Sequence, residues 1–318
     1  MKKLIITSRV FVVALVLCAG ALKAQFDGLF TQYMFNEVFI NPAYCGSKEA
    51  MSATLLHRQQ WVSFAGRPIS TSFSIHGPLM ENKMGVGLSI LNEKIGVMNR
   101  NLMYGSYAYR LTLSNKATLA MGLMAGLETQ SNRLSQLKVG LESSPTDPQF
   151  LQNTPNIAAP NAGLGFYYRS EQLYAGISIP RLIDNTVKFS SQGTSVKTTR
   201  IAASKFTYYL TGGYLFKLNE DLKLRANAMV KVLANAPMQV DLGGNFLIKD
   251  QLWAGLSYRS SSAVSVLLGM QINQQLMACY SYDYGTNKLQ HYSLGSHEIV
   301  VNYLFSFSGK KVATPRYF

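Results

Sequence analysis

The chain has 318 residues, of which 47% are hydrophobic and only 14% are Asp, Glu, Lys or Arg, against the roughly 25% charged residues of an ordinary soluble domain. Its mean hydropathy is close to zero, and with 25 Gly, 18 Tyr, 16 Phe and three Cys the composition excludes intrinsic disorder, a coiled coil and a disulfide framework. The formal net charge is +14, but the cations are scattered, which suits anionic lipid headgroups or an acidic partner better than nucleic acid.

Residues 1–24 read as a secretory signal peptide. Lys2, Lys3 and Arg9 form the positive region, Val10 to Leu17 the apolar one, and Ala19, Gly20, Ala21 and Ala24 the small residues around a cleavage site. Cleavage is expected after Ala24, with Ala21 as the second option. Export leaves Cys45 and Cys279 in an oxidising compartment, where a bridge between them stays open. Nucleic acid is no partner for an exported chain.

Residues 25–50 are dense in apolar and aromatic side chains: Phe26, Leu29, Phe30, Tyr33, Met34, Phe35, Val38, Phe39 and Ile40. Phe30, Met34 and Val38 fall at helical spacing, which predicts a short amphipathic helix before Asn41-Pro42-Ala43 breaks the chain. This segment is expected to fold into a barrel as a plug or to lie at its periplasmic mouth.

From residue 51 onward the pattern changes to period two. Leu222, Leu224, Ala226, Ala228, Val230 and Val232 alternate with Lys223, Arg225, Asn227, Met229 and Lys231; Val264 to Ile272 and Ile299 to Phe307 behave alike. Fourteen such segments are predicted, at 51–62, 69–79, 84–93, 101–113, 116–129, 161–170, 172–180, 205–217, 221–232, 237–248, 250–260, 263–273, 275–284 and 295–307. Each suits a tilted membrane-crossing strand of roughly 9–11 residues. Connections after even-numbered segments are short and polar. Those after the first, third, fifth, seventh and thirteenth are longer, with extremes at 130–160 and 181–204. The expected fold is therefore all-β: a transmembrane antiparallel barrel of about 14 strands over residues 51–318. Both chain ends would be periplasmic. Tyr107, Tyr109, Tyr167, Tyr168, Tyr208, Tyr209, Tyr280 and Tyr282 are expected in aromatic girdles. Arg58, with Gln59, Trp61 and Arg67 nearby, is placed in the lumen or at the rim, since lipid would penalise its charge.

Nothing points to catalysis, a cofactor or a metal. His57, His76, His291 and His297 lack metal-ligand spacing. His297-Glu298 lacks a second His, and Gly85-Val86-Gly87 sits in a strand without a phosphate-loop pattern.

Three stretches carry a resemblance. Tyr33-Met34-Phe35-Asn36 followed by Ile40-Asn41-Pro42-Ala43-Tyr44-Cys45-Gly46-Ser47, the Arg58–Trp61 stretch with Pro68 after it, and Gly85-Val86-Gly87-Leu88 leading into Lys94-Ile95-Gly96 resemble the PorP/SprF family. Cys45 stands where that family would have a small residue. The resemblance implies an outer-membrane component of the type IX secretion system of Bacteroidota, which exports proteins with a C-terminal sorting domain and in some species powers gliding. It implies as partners the ring lipoprotein PorK/GldK and its companion PorN/GldN, or a secreted sorting-domain protein, alongside outer-membrane lipids. Tyr33, Asn36, Asn41, Pro42, Ala43 and Tyr44 become candidates for plugging or docking. Asn41-Pro42-Ala43 also resembles an element of the FadL family, whose fourteen-strand barrels transport hydrophobic small molecules; this is the alternative.

Overall fold

The computed structural model describes residues 30–114, 117–136, 153–189, 195–234 and 236–305. The expected signal peptide at residues 1–24, residues 25–29, residues 137–152 of the long 130–160 connection, and the tail beyond 305 lie outside the described residues.

Fourteen strands form one closed antiparallel barrel. In chain order they are β1 (Met51–Gln59), β2 (Ile69–Leu79), β3 (Met84–Ile95), β4 (Met98–Ser114), β5 (Ala117–Asn132), β6 (Ile157–Ser170) and β7 (Leu173–Ile179), then β10 (Thr207–Lys217), β11 (Leu222–Leu233), β12 (Gln239–Ile248), β13 (Leu252–Arg259), β14 (Ala263–Gln271), β15 (Leu276–Gly285) and β16 (Ser296–Phe305). Each pairs with its neighbour, β7 pairs with β10, and β1 pairs with β16 to close the ring. Closure leaves no unpaired sheet edge around the wall, the condition for a sheet to stand in hydrocarbon. Between β7 and β10 the chain makes a separate hairpin, β8 (Ile183–Phe189) with β9 (Ser195–Ile201).

The alternation seen in the sequence becomes the two faces of the wall. On β14, Val264, Val266, Leu268 and Met270 point outward and exposed, while Ala263, Ser265 and Leu267 are buried inside. On β16, Ile299 and Tyr303 face out, and Ser296, Glu298, Val300, Asn302 and Leu304 face in. The outer face is therefore apolar around the ring and the inner face mixed, the inverse of a soluble globule.

All connections on one side, the turn end, are short: after β2, β4, β6, β10, β12 and β14. Lys249 and Asp250 both hold positive φ in the turn that the Gln251 N–H closes on the Ile248 carbonyl (3.0 Å), a backbone twist that suits right-twisted strands. The opposite side, the loop end, carries the 60–68 loop, the β5–β6 connection, the β8–β9 hairpin and the 286–295 loop. There Val62 ties the 60–68 loop to the 286–295 loop, donating its backbone N–H to the Gly295 carbonyl (2.8 Å) and accepting from the Leu294 N–H (2.9 Å).

Four expectations need correction. The connection after β3 is no long loop but a tight turn at Gly96-Val97 between Ile95 and Met98, which are themselves paired. The 181–204 connection contains the β8–β9 hairpin. Tyr167 and Tyr209 do not belong to an outer girdle: each sits next to another tyrosine, so alternation sends one of the two inward, and both are buried. Finally, residues 33–44 form no amphipathic helix. They make three single 3-10 turns, Tyr33–Phe35, Glu37–Phe39 and Pro42–Tyr44. Asn36 breaks the first from the second at φ −141°, ψ 48°. Asn41 is extended, as the residue before a proline prefers.

Candidate functional site

The feature that needs explaining is the lumen, because residues 30–48 lie inside it. All are buried except Phe39, which is half-buried. A segment buried on every side has no polar face to spare, which is why helical amphipathicity was the wrong guide here. Its backbone groups must find partners on the barrel wall.

The segment begins near the loop end. Arg58, the next-to-last residue of β1, reaches Asp283 at 2.6 Å and Glu298 at 3.0 Å, and donates to Thr31 Oγ1 at 2.9 Å. Glu298 accepts the backbone N–H groups of Thr31 (2.9 Å) and Gln32 (2.7 Å). Thr31 Oγ1 donates to Asp283 at 2.7 Å. Arg259, paired with Asp241 at 2.9 Å, donates to the Phe30 carbonyl at 3.0 Å. Five strands thus supply charges that would be ruinous alone in an interior and are tolerable as a hydrogen-bonded network.

Lower in the lumen, Asn36 accepts from Ser74 Oγ (2.7 Å) and donates to Ser72 Oγ (3.3 Å) on β2. Asn227 donates to the Tyr33 hydroxyl (3.1 Å), and Arg225 donates to the Met34 carbonyl (3.3 Å) while lying over the Phe35 ring. Glu37 sits wholly buried, and burial pushes its carboxyl from 4.5 up to about 8, with Arg225, Tyr174 and Lys48 pulling the other way. Tyr44 packs edge-on against both His76 and Tyr167, and Tyr167 stacks on Tyr174. Burial likewise raises the Cys45 thiol to about 12. Cys45 and Cys279 are free thiols, both buried, which settles the question of a bridge between them.

The wall is cut back where the segment passes. A Cβ on Gly122 of β5 would lie 2.2 Å from the Ala43 nitrogen, and one on Gly165 of β6 would lie 2.1 Å from Asn41 Oδ1. Asn41 caps its own turn by accepting from Ala43 N–H (3.0 Å) and donates to the Phe166 carbonyl (2.9 Å). Pro42 opens that turn. Gly46, at φ +75°, then swings the chain toward the turn end. There Arg110 donates to its carbonyl at 2.6 Å, Arg169 donates to the Ser47 carbonyl, and Lys48 donates to Asn302 at 3.3 Å.

Above the segment, toward the loop end, a second ionic group lines the wall. Arg100 meets Glu128 at 3.1 Å and Glu93 at 3.4 Å; Arg181 meets Glu128 at 3.0 Å; Tyr104 donates to the same carboxylate. It borders an apolar cavity floored by Phe30, Phe39, Leu91, Leu102, Met124 and Tyr209.

The structure places Tyr33, Asn36, Asn41, Pro42, Ala43 and Tyr44 together inside the lumen, each against the wall. Arg58 joins them there. Gln59, Trp61 and Arg67 stand apart at the loop-end rim, where Arg67 donates to Gln59 (3.4 Å) and the Trp61 N–H donates to Ser296 Oγ (3.2 Å). Sequence reasoning missed Glu37, Arg225, Asp283 and Glu298, the buried charges that hold the segment. A signal existed: each lies in an apolar context, and the three strand residues occupy the inward register of their alternating strands. Among the described residues, no group of three or more His, Cys, Asp or Glu is arranged to hold a metal.

The model of the family described as type IX secretion system membrane protein PorP/SprF matches residues 22–303. No curated protein matches the sequence. Solved structures of similar shape include a Pseudomonas aeruginosa FadL homologue (TM-score 0.47, 11% identity, covering 84% of this chain and 93% of that one), the Ralstonia pickettii toluene transporter TbuX (TM-score 0.48, 9% identity, 85% and 93%) and the CymD monoaromatic hydrocarbon channel (TM-score 0.48, 12% identity, 90% and 95%). These are distant likenesses of shape, and no ligand is carried over from them.

Proposed function

The chain belongs to the PorP/SprF family of type IX secretion system membrane proteins, and from that premise we propose that it is a non-enzymatic outer-membrane anchor of the secretion machinery, closed by its own amino-terminal segment. The occupied lumen carries this reading. A conduit needs a path, and here residues 30–48 are bound into the wall by the Arg58–Asp283–Glu298 network at one level and by Arg110 and Arg169 at another. Tyr33, Asn36, Asn41, Pro42, Ala43 and Tyr44 then serve as plug residues. Their side chains are spent on the barrel interior, so docking of the PorK/GldK–PorN/GldN ring falls to the short turns at the periplasmic end. The loop end faces outside and holds a secreted sorting-domain protein. Membership of the machinery makes gliding a further role wherever the system powers it.

The FadL-like alternative rests on Asn41-Pro42-Ala43, and in this chain those residues serve as wall contacts to β5 and β6. One comparison separates the two readings. In a deletion strain, export of sorting-domain proteins should fail while uptake of a labelled fatty acid continues. Normal export with lost uptake would reverse the assignment. Recovery of the ring lipoprotein with the tagged barrel, lost on substituting the turn at Met80–Lys83, would support docking at that end.

A further inference from the structure

Above residues 30–48 the lumen holds two adjacent cavities. Within that segment only Phe39 is not fully buried, and its ring, edge-on to Phe30 at 6.3 Å, borders the apolar cavity already described. That cavity has a volume of about 80 Å³. A cavity of roughly 150 Å³ takes a benzene molecule, so this one suits a group of a few carbons, the size of an aliphatic side chain. A second cavity, of about 400 Å³, lies toward the loop end. The first residues of β4 and β6 and the last of β5 line it, among them Met98, Ile157, Gln130 and Asn132. Arg100 and Arg181 line both cavities and form a collar between them. Charge at the collar is sorted by depth. Glu93 and Glu128 match the two arginines in number, but their side chains are only 3% and 10% exposed, against 36% for Arg181. The upper cavity is therefore offered a cation, with the carboxylates withdrawn beneath it. Beside that cation stand the side-chain amides of Gln130, Asn132 and Asn185, donors and acceptors that suit peptide groups.

We propose that the two cavities form one recognition site for the carboxyl end of a polypeptide that finishes on an aliphatic residue. The terminal carboxylate meets the Arg100 and Arg181 guanidiniums, whose forked donors match its geometry. The last side chain drops into the apolar cavity, and the preceding residues rise through the upper one past the amides. Size and chemistry together select this occupant. A long acyl chain needs more apolar depth than about 80 Å³, and Phe30 and Phe39 close the floor. A short branched acid would fill the lower cavity and leave the upper one, with its amides, unused. An apolar anchor in a pocket beneath a polar rim is also how protein contacts concentrate their binding energy. The proposal deepens the proposed function and rests on it for the source of the tail: the loop end faces outward and holds a secreted protein.

The purified barrel in detergent would be titrated into a labelled hexapeptide of glycine and serine that ends in leucine with a free carboxylate. Fluorescence anisotropy should show binding. The same peptide ending in leucine carboxamide, or in glycine, should bind about tenfold more weakly or worse, as loss of a charged partner or of a buried anchor gives. Arg181→Gln should erase the difference between acid and amide. Leu91→Phe, which fills the apolar cavity and leaves every charge in place, should erase the difference between leucine and glycine. Heat-dependent gel mobility shows whether each variant has folded, and the three peptides on the parent protein decide the matter if one has not. Acid and amide binding alike, leucine and glycine binding alike, or no binding at all overturns the proposal. Displacement by isocaproate as effective as by unlabelled peptide would make this a site for a small acid and overturn the tail as its occupant. The outward face is tested separately with a fluorescent protein carrying the same tail, too large to cross the outer membrane. It should bind intact cells that make the barrel. Peptide binding in detergent without binding to cells would keep the site and remove the outward face from the proposed function.

Discussion

Glu37 and Arg58 show two ways of holding a charge inside this barrel. Glu37 is buried with its carboxyl raised from 4.5 to about 8. A raised acid pKa means that the folded state holds the proton more tightly than the unfolded chain does. The stability this confers is complete below about pH 4.5 and is lost as pH rises through 8. The melting temperature of the purified barrel in detergent should therefore fall between pH 6 and pH 9, and Glu37→Gln should flatten that slope; equal slopes would remove Glu37 as the cause. Arg58 instead stays charged between two carboxylates. Arg58→Met leaves Asp283 and Glu298 buried without their cation, and losing one partner of a buried pair costs about 3–5 kcal/mol. The variant should melt well below the parent, and adding Glu298→Gln should recover part of the loss. A single variant that melts with the parent would show that Arg58 is not a structural tie.

At the level of elements, the fourteen wall strands were legible because a membrane wall imposes period two on every one of them. The predicted and observed ends differ by a few residues, as at 161–170 against Ile157–Ser170. What escaped was whatever periodicity does not encode. The β8–β9 hairpin stands outside the wall, and its polar sequence reads as loop. Gly96-Val97 turns the chain in two residues where composition suggested a longer connection. Arg58 was legible as a lumenal residue because a cation is costly in lipid; its partners were not, since Asp283 and Glu298 are 225 and 240 residues away. The irregular path of residues 30–48 is written less in the segment than in the wall, in glycines such as Gly122. That gives a test at this scale. Gly122→Val would drive side-chain atoms into the Ala43 backbone, which cannot yield as a flexible side chain would. The segment should loosen, so that trypsin cuts the folded barrel at Lys48, now buried. Gly105→Val is the control, because a Cβ there meets nothing nearer than 3.9 Å. Equal protease resistance in both variants would show that Gly122 is not cut back for the segment.

For the whole molecule, the low charge and near-zero hydropathy describe a shape with two insides. The outer face meets lipid; the inner face meets residues 30–48 and is polar enough to have been a water-filled channel. Arg58, Arg100, Arg110, Arg225, Arg259 and Lys231 point inward, against Glu93, Glu128, Asp241, Asp283 and Glu298. Porins line their channels with similar chemistry, so under the proposed anchor role the segment within the lumen is what would keep this barrel from being a pore. The parent protein in planar bilayers should be silent or nearly so. A chain lacking residues 25–50 should conduct ions if its wall still closes. Heat-dependent gel mobility reports that closure independently: a folded barrel migrates faster unheated than boiled. Gly122→Val, which keeps the segment but disturbs its seat, should give intermittent openings. A closed wall without conductance in the deletion would mean that the loops, not residues 30–48, seal the lumen, and the plug reading would fall with it.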